Sequence, residues 1–212
     1  DPGARGAHAI EKDITLAAAK ALKARLEDSG DYRVVLTRNS DVYVPLEGRV
    51  QIARGADADL FISLHADAGA DTATRGASAY TLSEAGADRA ARIIGTDGLF
   101  TQASGPGRDK AVGQILLDLT QRSTKNRSAA FAEVLLEKVG NETPLLRRSH
   151  RDAGFMVLLA PEVPAVLLEM GFITSPEDEK LLTTASDRDR LIRAVGDSID
   201  AFFQQQIQLA SR

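Results

Sequence analysis

Along residues 11–27 apolar side chains return every fourth position: Ile14, Ala18, Leu22 and Leu26 share one side, while Lys12, Lys20, Lys23 and Arg25 lie elsewhere. That spacing predicts an amphipathic helix, closed by the breaker run Ser29-Gly30-Asp31. Residues 32–38 are short and rich in β-branched positions, which predicts a strand. A second helix is expected over residues 46–55. It is followed at residues 60–64 by a nearly continuous apolar run (Leu-Phe-Ile-Ser-Leu) of the kind that fills a strand covered on both faces. Residues 77–82 form a further strand candidate. A long helix is expected over residues 115–139, marked by Ile115, Leu119, Phe131, Leu135 and Val139. Two short strands are expected around residues 155–159 and 163–168, the second ending at Glu169. The final helix keeps Leu191, Ile192, Val195, Ile199, Phe202 and Phe203 at helical spacing. Before it, Ser175-Pro176-Glu177-Asp178-Glu179 combines a cap, a first-turn proline and acids at a helix start.

The alternation of helix and strand predicts a single α/β domain with a central, mostly parallel twisted sheet flanked by helices on both faces. Residues 83–114 break the pattern. A short helical stretch over 88–94 gives way to Gly98, Gly105-Pro106-Gly107 and Gly113, which reads as a partly helical insertion after the strand near residue 82. Structureless segments longer than about 12–15 residues are uncommon inside compact domains and often functional. Residues 83–114 are therefore a candidate regulatory segment.

Composition narrows the chemistry. The 212 residues contain no cysteine, which excludes disulfides, thiolate metal sites and a thiol nucleophile. A net charge of −4 offers no basic footprint for nucleic acid, and no apolar run is long enough to span a bilayer. A monomer is expected. Only His8, His65 and His150 can supply imidazole. His65 follows the apolar run at 60–64, where ligands bind in open α/β sheets, although a histidine hydrogen-bonded at a strand end would look the same. Glu169 interrupts a buried run. It is costly there unless paired, metal-bound or used as a general acid or base, with an arginine or backbone donors as the structural alternative. Glu11 opens the first helix, where the helix dipole alone favours a carboxylate. An imidazole and two carboxylates near sheet ends make a plausible zinc hydrolase.

At these residues the chain resembles a known family. Asp1-Pro2-Gly3-Ala4, Glu11-Lys12-Asp13, Leu36-Thr37-Arg38, Ser63-Leu64-His65-Ala66-Asp67, Arg75-Gly76-Ala77-Ser78 and Leu168-Glu169-Met170-Gly171-Phe172 stand in the order of the type-3 zinc-dependent N-acetylmuramoyl-L-alanine amidases. The resemblance implies hydrolysis of the amide between N-acetylmuramic acid and L-alanine in peptidoglycan, for daughter-cell separation or wall remodelling in the periplasm. By position it makes Glu11 and His65 ligands of Zn2+ and Glu169 the catalytic glutamate. The family's remaining ligand is a histidine in an Asp-x-Gly-His-Gly-Gly segment that follows an apolar strand, just ahead of the Asp-Pro-Gly-Ala loop. Both are expected upstream of Asp1, with His8 and His150 as rival ligands. In the division-linked branch, the segment matching 83–114 blocks the zinc site until an activator protein displaces it. No glutamate stands here in the register of the blocking one, and Glu84, Asp88 and Asp97 are the carboxylates at hand. The alternative to an enzyme is an inactive module on the same fold that binds peptidoglycan or a division partner.

Overall fold

The computed structural model describes residues 2–87 and 110–211. The helices are α1 (Glu11–Asp28), α2 (Leu46–Gly55), α3 (Lys110–Val139), α4 (Pro176–Thr183) and α5 (Ala185–Ala210), and the strands are β1 (Phe61–Asp67), β2 (Ala77–Leu82), β3 (Leu145–Ala153) and β4 (Ala165–Phe172). The strands lie in the order β1-β4-β2-β3. The β1–β4 and β2–β3 pairs are parallel and the β2–β4 pair is antiparallel, so the sheet is open and mostly parallel, as expected.

Alternation along the strands sorts side chains onto two faces. Ile62, Leu64 and Ala66 of β1, Ala77 and Ala79 of β2, and Val166, Leu168 and Met170 of β4 join the larger core. There they meet the apolar stripe Ile14, Ala18, Leu22 and Leu26 of α1, Phe131 and Leu135 of α3, and Leu191, Val195 and Phe202 of α5. Phe131 and Phe202 pack edge to face with centroids 5.4 Å apart. The other face is covered only in part: Phe61, Tyr80, Leu82, Ala165 and Leu167 gather with Val157 and Leu158 in a smaller cluster. These last two belong to a short 3-10 turn, Met156–Leu158, against which α2 packs. Ser63, His65, Ser78 and Glu169 fall by alternation on this second face, outside that cluster.

The start of β4 depends on one side chain of α3. Ser128 Oγ accepts a 2.9 Å bond from the Ala165 amide and donates to the Thr124 carbonyl at 3.0 Å, with Ser128 buried. Ser128→Ala leaves a buried amide without an acceptor, and should cost about 1–3 kcal/mol in chemical denaturation with an unchanged m-value.

Several sequence expectations are corrected. Residues 32–36 carry no sheet pairing, so no strand forms over 32–38. Tyr32, Val34 and Leu36 turn inward, but a cavity of about 790 Å³ separates the segment from β1 and denies it a partner. Residues 155–159 form the 3-10 turn and not a strand, because that apolar run is cover for the sheet. A strand lies instead at Leu145–Ala153, in a basic stretch with no apolar alternation; charged side chains are tolerated there because β3 is an edge. β1 runs on to Asp67 and β4 to Phe172, which places His65 and Glu169 within strands and not after or at the end of them. α3 begins at Lys110, five residues before residue 115. The expected stretch at 88–94, and most of the 83–114 insertion with Asp88 and Asp97, lie outside the described residues. Among those residues, no helix is long and apolar enough to cross a membrane.

Candidate active site

The loop ahead of α1 is folded onto the helix's first side chain. The Ala4 amide donates to Glu11 Oε2 at 2.7 Å, and the Glu11 amide donates back to the Ala4 carbonyl at 2.9 Å. Gly3 lies at φ 73°, and a Cβ there would stand 2.3 Å from Glu11 Oε2, so only glycine allows this wrap. Arg38 braces the same turn, donating to the Lys12 carbonyl at 2.6 Å and to Thr15 Oγ1 at 3.2 Å.

Glu11 is thereby aimed at β1. Its Oε1 lies 2.9 Å from His65 Nδ1, and His65 Nε2 lies 2.9 Å from Ser63 Oγ. A serine hydroxyl can donate or accept, so Ser63 serves either imidazole tautomer. Burial opposes the charge of Glu11, but hydrogen bonds from His65 and the Ala4 amide outweigh it and hold the carboxyl below its usual range.

Glu169 behaves oppositely. Its backbone sits in register between His65 of β1 and Ser78 of β2. Among the described residues no arginine or backbone donor satisfies its buried Oε2. Burial, then the charges of Asp67 and Glu11, push its pKa up to about 8. A carboxyl that titrates near neutrality beside an imidazole–carboxylate pair has the profile of a group that takes up and returns protons.

Neither rival histidine joins this cluster. His8 is exposed and contributes through its backbone, whose amide donates to Glu179 Oε1. His150 lies on β3 at the far edge of the sheet, with Nε2 3.0 Å from Thr81 Oγ1. Among the described residues no group of three or more histidine or carboxylate side chains could hold a metal ion. Glu11 and His65 nevertheless suit one as a pair. A tetrahedral ion with bonds of about 2.0–2.2 Å spaces its ligand atoms roughly 3.3 Å apart, only a few tenths beyond the 2.9 Å found here. A catalytic zinc site takes three protein ligands, so this pair is one short.

Sequence reasoning missed the side chains that hold the site together. Asp178 and Glu179, read from the sequence only as first-turn acids of α4, are 1% and 5% exposed. Glu179 Oε1 accepts from the His8 and Ala9 amides at 2.7 and 2.9 Å, fixing the loop that carries Glu11. Asp178 Oδ2 accepts from the Gly76 and Phe172 amides at 2.7 and 2.9 Å, and Oδ1 faces Arg75 Nε at 3.3 Å, tying β2 to β4. The signal available was Leu181-Leu182, one residue past the acids, which turns the helix inward. Asp67 was quoted within a motif but given no role.

The fold and this cluster define an open α/β-sheet domain with a histidine–carboxylate site set in adjacent strands. Comparison with known proteins narrows that class: the profile described as N-acetylmuramoyl-L-alanine amidase (Amidase_3) matches residues 1–201, and the chain belongs to that family. It is 37% identical over 210 residues to N-acetylmuramoyl-L-alanine amidase AmiA of Escherichia coli K12, covering 96% of this chain and 72% of that protein. To AmiC of Escherichia coli O6:H1 it is 34% identical over 217 residues, and it spans 52% of that protein's length. Among solved structures, N-acetylmuramoyl-L-alanine amidase AmiC2 of Nostoc punctiforme superposes with TM-score 0.72 at 26% identity, over 96% of this chain and 91% of that one. The CwlD amidase of Clostridioides difficile, solved in complex with the GerS lipoprotein, shares the fold with TM-score 0.73 at 21% identity, over 96% and 92%.

Proposed function

We propose that the protein is a zinc-dependent N-acetylmuramoyl-L-alanine amidase that cleaves the amide joining the lactyl group of N-acetylmuramic acid to L-alanine, outside the cytoplasm, during cell-wall remodelling or daughter-cell separation. The observation that carries this reading is Glu169, a half-buried carboxyl whose buried Oε2 has no partner among the described residues, held in register beside His65, which itself pairs with Glu11. Family membership supports the amide as substrate.

Zinc bound by Glu11 and His65 would supply Lewis acidity to the scissile carbonyl and the attacking water. Glu169 takes a proton from that water as its oxygen bonds to the carbonyl carbon. It then delivers the proton to the nitrogen of L-alanine as the C–N bond breaks, so that the lactyl carboxylate and a free amine leave. Ser63 and the Ala4 amide keep the two ligands oriented throughout.

The third ligand belongs to the same proposal. The 790 Å³ cavity is lined by Leu16, Leu36, Ile52, Leu60 and Ile62 along its length, and Glu11 and His65 also border it. β1 is the outermost strand on that side. An apolar strand in the cavity would pair with β1, and a histidine at its end would reach the Glu11–His65 pair. An activator acting on 83–114 is the matching proposal for regulation.

The test is digestion of purified peptidoglycan by the zinc-loaded full-length gene product. Intact stem peptides with a free L-alanine amine are expected. Release of acetate, of shortened peptides or of nothing would overturn the proposal, the last outcome in favour of a binding module.

A further inference from the structure

Among the described residues, two buried polar atoms of the second sheet face have no hydrogen-bond partner: Ser78 Oγ and Glu169 Oε2. They belong to residues directly opposite each other in the antiparallel β2–β4 ladder. By alternation both side chains rise from the same face, Ser78 with Tyr80 and Leu82, Glu169 with Ala165 and Leu167. Directly opposite residues of such a pair hold their Cβ atoms about 4.5–5.5 Å apart, so rotation about the side-chain bonds brings the hydroxyl to the carboxylate. The chemistry is complementary as well. An ionised carboxylate only accepts, whereas a hydroxyl donates, and the charged neighbours acting on Glu169 are the acids Asp67 and Glu11.

We propose that Ser78 is a positioning residue for Glu169, its hydroxyl donating to the carboxylate and turning the other carboxylate oxygen toward the substrate amide. This rests on the function proposed above and adds a residue to it. Ser78 is 0% exposed between Ala77 and Ala79, also 0% exposed. At such a place an alanine would serve packing better than a hydroxyl left without a partner, because a buried unsatisfied polar group is a net cost. A hydroxyl at such a place calls for a partner, and the carboxylate directly opposite in the ladder is the one the fold supplies.

The experiment compares Ser78→Thr with Ser78→Val, which are alike in shape and differ in the hydroxyl, and adds Ser78→Ala. On soluble muropeptides, Val and Ala should lower kcat roughly tenfold or more with KM unchanged, and Thr should restore most of it. Equal kcat for Thr and Val, or a loss confined to KM, would overturn the proposal. If Thr does not fold, Ser78→Ala decides alone: a roughly tenfold loss of kcat at unchanged KM supports the role, and a natural kcat overturns it. A natural chain that releases no stem peptides defeats the proposed function, whereas equal Thr and Val rates on an active enzyme defeat only the role of Ser78.

Discussion

Glu169→Gln should reduce release of stem peptides by roughly 10²–10⁴-fold, the range that a positioned general acid–base group contributes, while zinc content and the folded state persist. The separation is possible because Glu169 lies in register beside His65 without bonding the imidazole, whose two nitrogens are engaged by Glu11 and Ser63. A glutamine fills the same volume and cannot carry the proton. In the metal-free protein the same substitution has a second, opposite consequence. The folded-state pKa of about 8 lies above the ordinary carboxylate value of 4.5, so between those values the folded chain keeps a proton that the unfolded chain has released. Stability therefore falls as pH rises from about 4.5 to about 8, by up to about 5 kcal/mol. Glu169→Gln removes that penalty and should melt higher than the natural chain at pH 9 in chelator, with the difference vanishing toward pH 5. A cation at Glu11 and His65 favours the ionised carboxyl, so the acidic limb of turnover in the loaded enzyme falls below about 8. A Glu169→Gln variant that turns over at near-natural rate would remove Glu169 from the mechanism, and one that melts no higher at alkaline pH would remove its raised pKa.

What the sequence made legible follows from how local each signal is. α1 and α5 were readable because one side of each helix must meet the core every third or fourth residue, and Leu22 and Leu26, or Val195 and Ile199, record that contact directly. β4 was readable because all of its side chains but Glu169 are buried, and for the same reason Glu169 stood out as the one charge in an apolar run. The segment 32–38 has inward and outward alternation, yet a strand exists only through a neighbour, and the cavity beside β1 supplies none. β3 failed the other way: it has a partner in β2, but as an edge it bears Arg147, Arg148 and Arg151 and shows no apolar alternation. The site divides along the same line. His65 and Glu169 disturb their local pattern, whereas Glu11 suits a helix start and is singled out only by the family resemblance. Ser78 and Glu179 matter through partners across the sheet or 170 residues away, as in Ala9 to Glu179, and those distances are invisible along the chain.

His65→Ala should cost zinc affinity at least the 10–100-fold lost when even an outer partner of a metal ligand is removed, read by competition with a chromogenic chelator. The imidazole is the only nitrogen donor at the pair, and Glu11 alone is a single carboxylate wrapped by the Ala4 amide. The same change alters the metal-free protein. Glu11 is held below its usual pKa against the opposing effect of burial, largely by His65. Its ionised form therefore stabilises the fold above about pH 4.5, and that contribution is lost as pH falls through the lowered folded-state value. Without His65 burial prevails and the pKa rises, so the variant should be less stable than the natural chain at pH 7, by about 1–3 kcal/mol for a half-buried carboxylate that has lost a partner. Glu11→Gln gives the complementary result: it keeps an oxygen that can accept from His65, removes the charge a divalent cation requires, and should lose zinc with a smaller loss of stability. Zinc affinity in His65→Ala equal to that of the natural chain would place the metal elsewhere and return His65 to the role of a hydrogen-bonded strand residue.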